Sequence, residues 1–221
     1  MMYFFDMDGT ILDSNGVWTQ IDVDFLGRFG VDPVPEDYTD YVTHHNYPQA
    51  ARYTKERYHL ELTVQEIMDI WQDMAEEAYA GRLALKPGVR DFLERARAAG
   101  IRCALLTSCY PTLCALALEA RGLTGYFERV FTTVELDMEK RDPELFHTVS
   151  ALCGEKEEDC LLFEDSPVNC AAARAAGWQV LGVADPLFAP QAAEMERICG
   201  KKRWPFSFLS PLPDSTIFQK T

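Results

Sequence analysis

Positive charge is scarce in this sequence: 21 lysines and arginines face 35 aspartates and glutamates, for a formal net charge of −14. That shortage argues against nucleic acid as a partner, because such binding relies on basic groups that neutralise phosphates. Long apolar runs are missing too. No stretch of about 18 uncharged apolar residues occurs, so no membrane-spanning helix is expected. The opening Met-Met-Tyr-Phe-Phe meets an acid at Asp6 before any leader-like apolar core develops. Cysteine pairs of the C-x-x-C type are absent. The seven cysteines, an odd number scattered from Cys103 to Cys199, read as reduced thiols and not as a disulfide framework. Cys109 and Cys114 have no further ligands at zinc spacing and read as helix or core positions. These absences together lead to the expectation of a cytoplasmic protein, a monomer or weak homodimer.

The remaining composition is ordinary globular material. Hydrophobic residues make up 48% and charged residues 25% of 221 positions, enough for one main domain with a sizeable insertion. A chain this acidic that handled an anion would have to supply positive charge locally, through a metal ion and a few placed basic groups. The cluster Lys201-Lys202-Arg203 reads instead as a solvated patch.

Short apolar runs that end in polar residues recur along the chain. Met2 to Phe5 runs into Asp6, Ile101 to Leu106 into Thr107-Ser108, and Arg129 to Phe131 into an acidic loop. Cys160 to Phe163 runs into Glu164-Asp165, and Gln179 to Val183 ends near Asp185. Each has the shape of a buried strand that releases its polar residues at its C-terminal end. Between them lie helical patterns. Val89, Phe92, Leu93 and Ala96 share one face before Gly100, and further helices are expected over Pro111 to Arg121, Pro143 to Leu152 and Pro167 to Ala176. Strands alternating with helices indicate an α/β fold with a parallel sheet.

Residues 14–85 break that rhythm. Phe25, Leu26 and Phe29, then Ile67, Ile70, Trp71, Met74 and Ala78, keep helical spacing with no strand between them. The expected organisation is a Rossmann-like core of residues 1–13 and 86–221, with an all-helical cap over 14–85. The insertion starts directly after the first strand, which suggests a lid; a helical decoration is the plainer alternative. The tail beyond Gly200, rich in proline and aromatics, gives no reading.

Chemistry concentrates at strand ends. Asp6-Met7-Asp8-Gly9-Thr10 puts two carboxylates two residues apart where open α/β sheets form their crevices. One carboxylate can attack phosphorus while the other handles protons, and Gly9 permits the tight turn between them. Thr107 and Ser108 offer a hydroxyl and N–H groups to a phosphate oxygen, and Lys140 offers a counter-charge. Glu164-Asp165 offers hard oxygen ligands of the kind Mg²⁺ prefers. Taken singly, each has a plainer alternative: a turn, a helix cap or a solvated lysine.

Four motifs in order carry a resemblance. They are Asp6-Met7-Asp8-Gly9-Thr10, Leu105-Leu106-Thr107-Ser108, Lys140-Arg141-Asp142-Pro143-Glu144-Leu145-Phe146, and Phe163-Glu164-Asp165-Ser166 running into Ala175-Ala176-Gly177. On these residues the chain resembles the haloacid dehalogenase superfamily, in the subgroup similar to β-phosphoglucomutase, over about residues 1 to 185. The resemblance implies an aspartyl-phosphate mechanism with Asp6 as nucleophile and Asp8 as acid and base. It also implies Mg²⁺ held by the Asp6 carboxylate, the Asp8 main-chain carbonyl and Asp165, with Glu164 ligating directly or through water. Phosphate would be held by Thr107, Ser108 and Lys140. Arg141 stands where the family pattern usually has proline. The second acid favours ester substrates, a sugar phosphate or nucleotide, and leaves a hexose-phosphate mutase or a catalytically idle binding protein of this fold as alternatives.

Within the insertion, Thr43-His44-His45-Asn46-Tyr47-Pro48 reads as a polar loop, with His44 and His45 as candidate substrate contacts. Arg52, Lys55 and Arg57 offer either a second anion site or a solvated face. Asn15 and Trp18, close behind the first motif, are candidates to line an entrance, and Trp18 equally suits packing.

Overall fold

A computed structural model describes residues 1–44, 47–200 and 203–204. The chain divides into two compact units, residues 16–82 and the remainder. The larger unit is built on a six-stranded parallel sheet with the order β3-β2-β1-β4-β5-β6. The strands are β1 (Met2–Phe5), β2 (Arg102–Thr107), β3 (Arg129–Thr132), β4 (Cys160–Glu164), β5 (Gln179–Val183) and the two-residue β6 (Arg203–Trp204). β6 lies in the tail for which the sequence gives no reading; it extends the edge of the sheet beside β5.

The inserted unit carries α1 (Val17–Gly27), α2 (Glu36–His44), α3 (Tyr47–Tyr58) and α4 (Val64–Glu77), then a π-helical turn over Ala78–Arg82. The larger unit adds α5 (Val89–Ala98), α6 (Pro111–Ala120), the single turn α7 (Thr133–Leu136), α8 (Pro143–Cys153), α9 (Pro167–Ala175) and α10 (Ala192–Cys199). Prolines open α6, α8 and α9, where the missing N–H costs nothing.

Alternation along β1 sorts the core. Met2 and Phe4 join the cluster of Phe146, Val149, Leu162 and Trp178, with the Phe4 and Trp178 rings 4.4 Å apart. Tyr3 and Phe5 meet Phe92 and Phe163 on the other face, the Phe5 and Phe163 rings stacking at 4.5 Å. Burying each such side chain contributes roughly 1.5–3 kcal/mol, so the central strand is firmly held.

The inserted unit runs over residues 16–82, against the expected 14–85, so residues 14–15 and 83–85 group with the larger unit. Leu12 and Leu85 form an antiparallel bridge, and the Asp13 and Lys86 amides donate to Ala84 and Ile11 carbonyls at 3.0 and 2.9 Å. These backbone bonds tie both linkers to the sheet side of the boundary.

The inserted unit has its own small core. Phe25 packs edge-on against Trp71, and buried Tyr38 shares its hydroxyl with Thr54 at 2.9 Å. Thr63 and Glu66 form a reciprocal cap at the start of α4.

Candidate active site

The sheet order reverses between β1 and β4, the point at which open α/β sheets leave a crevice beyond their C-terminal ends. The register sets Phe5 beside Phe163, which puts Asp6 level with Glu164. Both side chains continue the face occupied by Phe4 and Leu162, the face on which α8 packs. Lys140 stands in the loop that leads into α8, and its position results from that alternation.

Lys140 is 4% exposed, and its Nζ lies 2.6 Å from Asp6 Oδ1 and 2.6 Å from Glu164 Oε2. Glu164 Oε1 accepts from the Ser166 amide at 3.0 Å. Asp165, 3% exposed, accepts on Oδ2 from the Asn15 side-chain amide at 2.7 Å. Oxygens of Asp6, Glu164 and Asp165 all lie within 4.8 Å of one another. Asp8 differs from them: it is half-buried, and its Oδ1 accepts from the Ser14 hydroxyl at 2.6 Å.

The first motif turns back on itself through bonds to the Met7 carbonyl from the Ile11 and Leu12 amides, at 2.9 and 2.8 Å. Gly9 sits at φ +79°, and a Cβ there would fall 2.0 Å from Asp165 Oδ2 and 2.2 Å from Asn15 Nδ2. Only glycine fits, on both counts. Gly9→Ala is expected to push Asp165 aside and lower kcat/KM on the order of 10²-fold, the cost of misplacing a reacting group by about 1 Å. Steady-state kinetics on the purified variant check this, and activity within threefold of the parent would contradict it.

Charge in this pocket is out of balance. Burial, opposed by Lys140 and reinforced by Glu164 and Asp8, pushes the Asp6 carboxyl up to about 8. Burial and the neighbouring Glu164 and Asp6 push Asp165 up to about 9. The Lys140 ammonium is opposed by its burial but held well above its ordinary range by Asp6 and Glu164. Three buried acids thus share one ammonium, a set of hard oxygen donors short of positive charge, which suits a divalent cation such as Mg²⁺.

Thr107 ends β2, whose register with β1 sets Leu105 beside Phe5 and so brings Thr107 level with Met7. Its Oγ1 accepts from the Cys109 amide at 3.0 Å, which leaves its O–H free to donate. Ser108 is exposed.

The expectations within the insertion fare differently. Thr43 and His44 close α2, and Tyr47 and Pro48 open α3, so these four residues of the expected loop over 43–48 are helical; His45 and Asn46 lie outside the described residues. The His44 side chain also lies outside them. Arg57 is paired with Asp37 through both its terminal nitrogens, at 2.8 and 3.0 Å. Lys55 donates to the Leu60 carbonyl at 3.3 Å and to that of Leu62. Both cations are thus engaged within their own unit. Trp18 stands edge-on to Tyr47, 38% exposed. Asn15, a candidate to line an entrance, instead bonds Asp165 through its amide, a contact spanning 150 residues that no local pattern announces.

A family model described as haloacid dehalogenase-like hydrolase matches residues 3–183. The GMP/IMP nucleotidase YrfG of Escherichia coli (strain K12) is 30% identical over 195 residues, covering 82% of each chain. Among solved structures, CbbY from Rhodobacter sphaeroides in complex with phosphate has a TM-score of 0.73 at 22% identity, covering 95% of each chain. A hydrolase of this family from Deinococcus radiodurans R1, with bound phosphate and sodium, has a TM-score of 0.71 at 24% identity, covering 93% of this chain and 90% of that one. The structural likenesses speak for the fold, and the sequence match over most of the chain speaks for descent: the chain belongs to the haloacid dehalogenase-like hydrolase family.

Proposed function

We propose that this phosphoric monoester hydrolase acts on a small phosphorylated metabolite, a nucleotide or sugar phosphate, with Mg²⁺ and through an aspartyl-phosphate formed on Asp6. The observation that carries this reading is the convergence of Asp6, Glu164 and Asp165 within 4.8 Å, with Lys140 2.6 Å from two of them. When bound, the cation neutralises charge on the phosphoryl oxygens and polarises phosphorus. Asp6, Asp165 and the Asp8 main-chain carbonyl would hold it, with Glu164 beside them.

The remaining steps belong to side chains. Asp6 attacks phosphorus in line, and the bond to the leaving oxygen breaks as Asp8 gives that oxygen a proton. Asp8 then takes a proton from the incoming water, whose oxygen displaces Asp6 and frees phosphate. Half-burial suits Asp8 for proton exchange, and burial suits Asp6 for attack in a site shielded from water. Lys140 favours the ionised form of Asp6, opposing its burial, while Thr107, Ser108 and the Gly9 turn receive phosphoryl oxygens.

The nucleotidase relative makes GMP and IMP the first substrates to test, with sugar monophosphates after them. Phosphate release from such a panel is expected with Mg²⁺ and abolished by EDTA. Isomerised sugar phosphate that requires a bisphosphate activator would instead identify a mutase, and no turnover of any member would favour an idle binding protein.

Proton linkage supplies a separate expectation. Without metal, Asp6 and Asp165 hold protons to about 8 and about 9 in the native state, whereas an unfolded chain releases them near pH 4. The native state therefore binds more protons between those values, and its stability falls as pH rises through that window. A cation replaces the protons, so the rise in melting temperature on adding Mg²⁺ should be larger near pH 8.5 than near pH 6. Thermal melts in Mg²⁺ and in EDTA measure this directly, and a shift independent of pH would count against the site.

A further inference from the structure

Asp165 is tied to a second buried cluster that the proposed chemistry does not use. Lys86 and Asp185 form an ion pair at 2.6 Å with side chains 5% and 1% exposed. Lys86 Nζ also donates to the Ala184 carbonyl at 3.1 Å, and Asp185 Oδ1 accepts from the Leu187 amide at 2.9 Å. Burial pushes the Asp185 carboxyl up, but the Asn15 amide and Lys86 together hold it below its ordinary range. Asp165 and Asp185 line one small cavity, and Asn15 donates to Asp165 Oδ2 at 2.7 Å. Carboxylates only accept, so the orientation of the Asn15 amide is set by chemistry: its NH₂ must face Asp165.

A buried ion pair is a poor device for stability alone, since an apolar pair of similar volume does as well or better. Its use here is better explained by position. Lys86 lies on the segment leaving the inserted residues and Asn15 on the segment entering them, and the two segments are joined backbone to backbone through Leu12 and Leu85. We propose that Asn15 is a positioning residue that fixes the Asp165 carboxylate for its cation, and that the Lys86–Asp185 pair holds Asn15 in place. With Oδ2 engaged by the amide, Asp165 presents Oδ1 at a set angle, which is how outer partners orient a ligating carboxylate. The tight fit of Gly9 against both Asp165 Oδ2 and Asn15 Nδ2 leaves that bond little room to shift.

The inference rests on the reading of Asp165 as a cation ligand, and one set of titrations separates the two. Mg²⁺ binding is measured by calorimetry on the full chain, its Asn15→Ala variant, a Lys86→Met/Asp185→Leu variant, the three changes combined, and Asp165→Asn. Loss of outer partners typically weakens metal binding about 10–100-fold. Asn15→Ala is therefore expected to raise the Mg²⁺ Kd about tenfold, while the variant still unfolds cooperatively in EDTA. The paired variant, in which no buried charge is left alone, should raise the Kd severalfold. The combined variant should bind no more weakly than Asn15→Ala, because both changes act through one contact. A Kd within twofold of the parent in Asn15→Ala, with Asp165→Asn abolishing binding, would overturn the inference and keep the metal reading. Additive losses in the combined variant would overturn the role given to Lys86 and Asp185. Unchanged binding in Asp165→Asn would overturn both readings.

Discussion

Replacing Asp6 by asparagine is expected to cost on the order of 10⁴-fold or more in kcat, the scale of losing a covalent nucleophile, with the fold intact. Asparagine keeps the shape of the side chain but has no oxyanion to attack phosphorus. The variant should fold because Lys140 retains Glu164 at 2.6 Å, so no buried ammonium is left alone. Asp6 also holds its proton up to about 8 when no cation is present, so a neutral group at this position resembles the metal-free native state. Phosphate release and circular dichroism on the same preparation check both halves, and activity near that of the parent would remove Asp6 as nucleophile.

The largest stability effect is expected from Lys140→Met. Lys140 is the ammonium between buried Asp6 and Glu164, and removing one partner of a buried charge cluster costs roughly 3–5 kcal/mol. The buried acids are then left without that counter-charge. Buried negative charge without a partner favours protonation, so the native state of the variant binds protons more tightly than the unfolded chain, and its stability must fall as pH rises. Urea unfolding in EDTA should therefore show a smaller deficit near pH 5 than near pH 8, and Mg²⁺ should recover part of the loss. A deficit below about 1 kcal/mol at both pH values, the scale of an exposed pair, would mean that Lys140 is not the counter-charge of this pocket.

Much of this site is legible in the chain because its parts end strands. Apolar runs such as Met2 to Phe5 and Cys160 to Phe163 have the length and shape of buried strands, and parallel strands deliver the residues just beyond their C-terminal ends to one edge of the sheet. Asp6 and Glu164-Asp165 stand directly after such runs, so their meeting needs only the strand order. Lys140 has no such run before it and is legible only through motif resemblance; the structure supplies the reason, since its loop feeds α8 on the face that Asp6 occupies. The cluster of Asn15, Lys86 and Asp185 is not legible, because its contacts span from 98 to 150 residues, and side-chain pairing at that range leaves no periodic trace. The helical ending at Thr43-His44, expected as loop, has a local cause. Among the described side chains of α2 only Tyr38 is buried, with Tyr41 and Val42 half-buried, so the apolar spacing that announces a helix is thin, and threonine and histidine are weak helix formers.

The most direct test of the central claim is to trap the phosphorylated enzyme during turnover and reduce it with borohydride, which converts an aspartyl-phosphate to homoserine, before peptide mass spectrometry. Homoserine is predicted at Asp6, with Asp8 unmodified, only when both substrate and Mg²⁺ are supplied. An unmodified Asp6 in an enzyme caught turning over, or homoserine at Asp8 instead, would contradict the account.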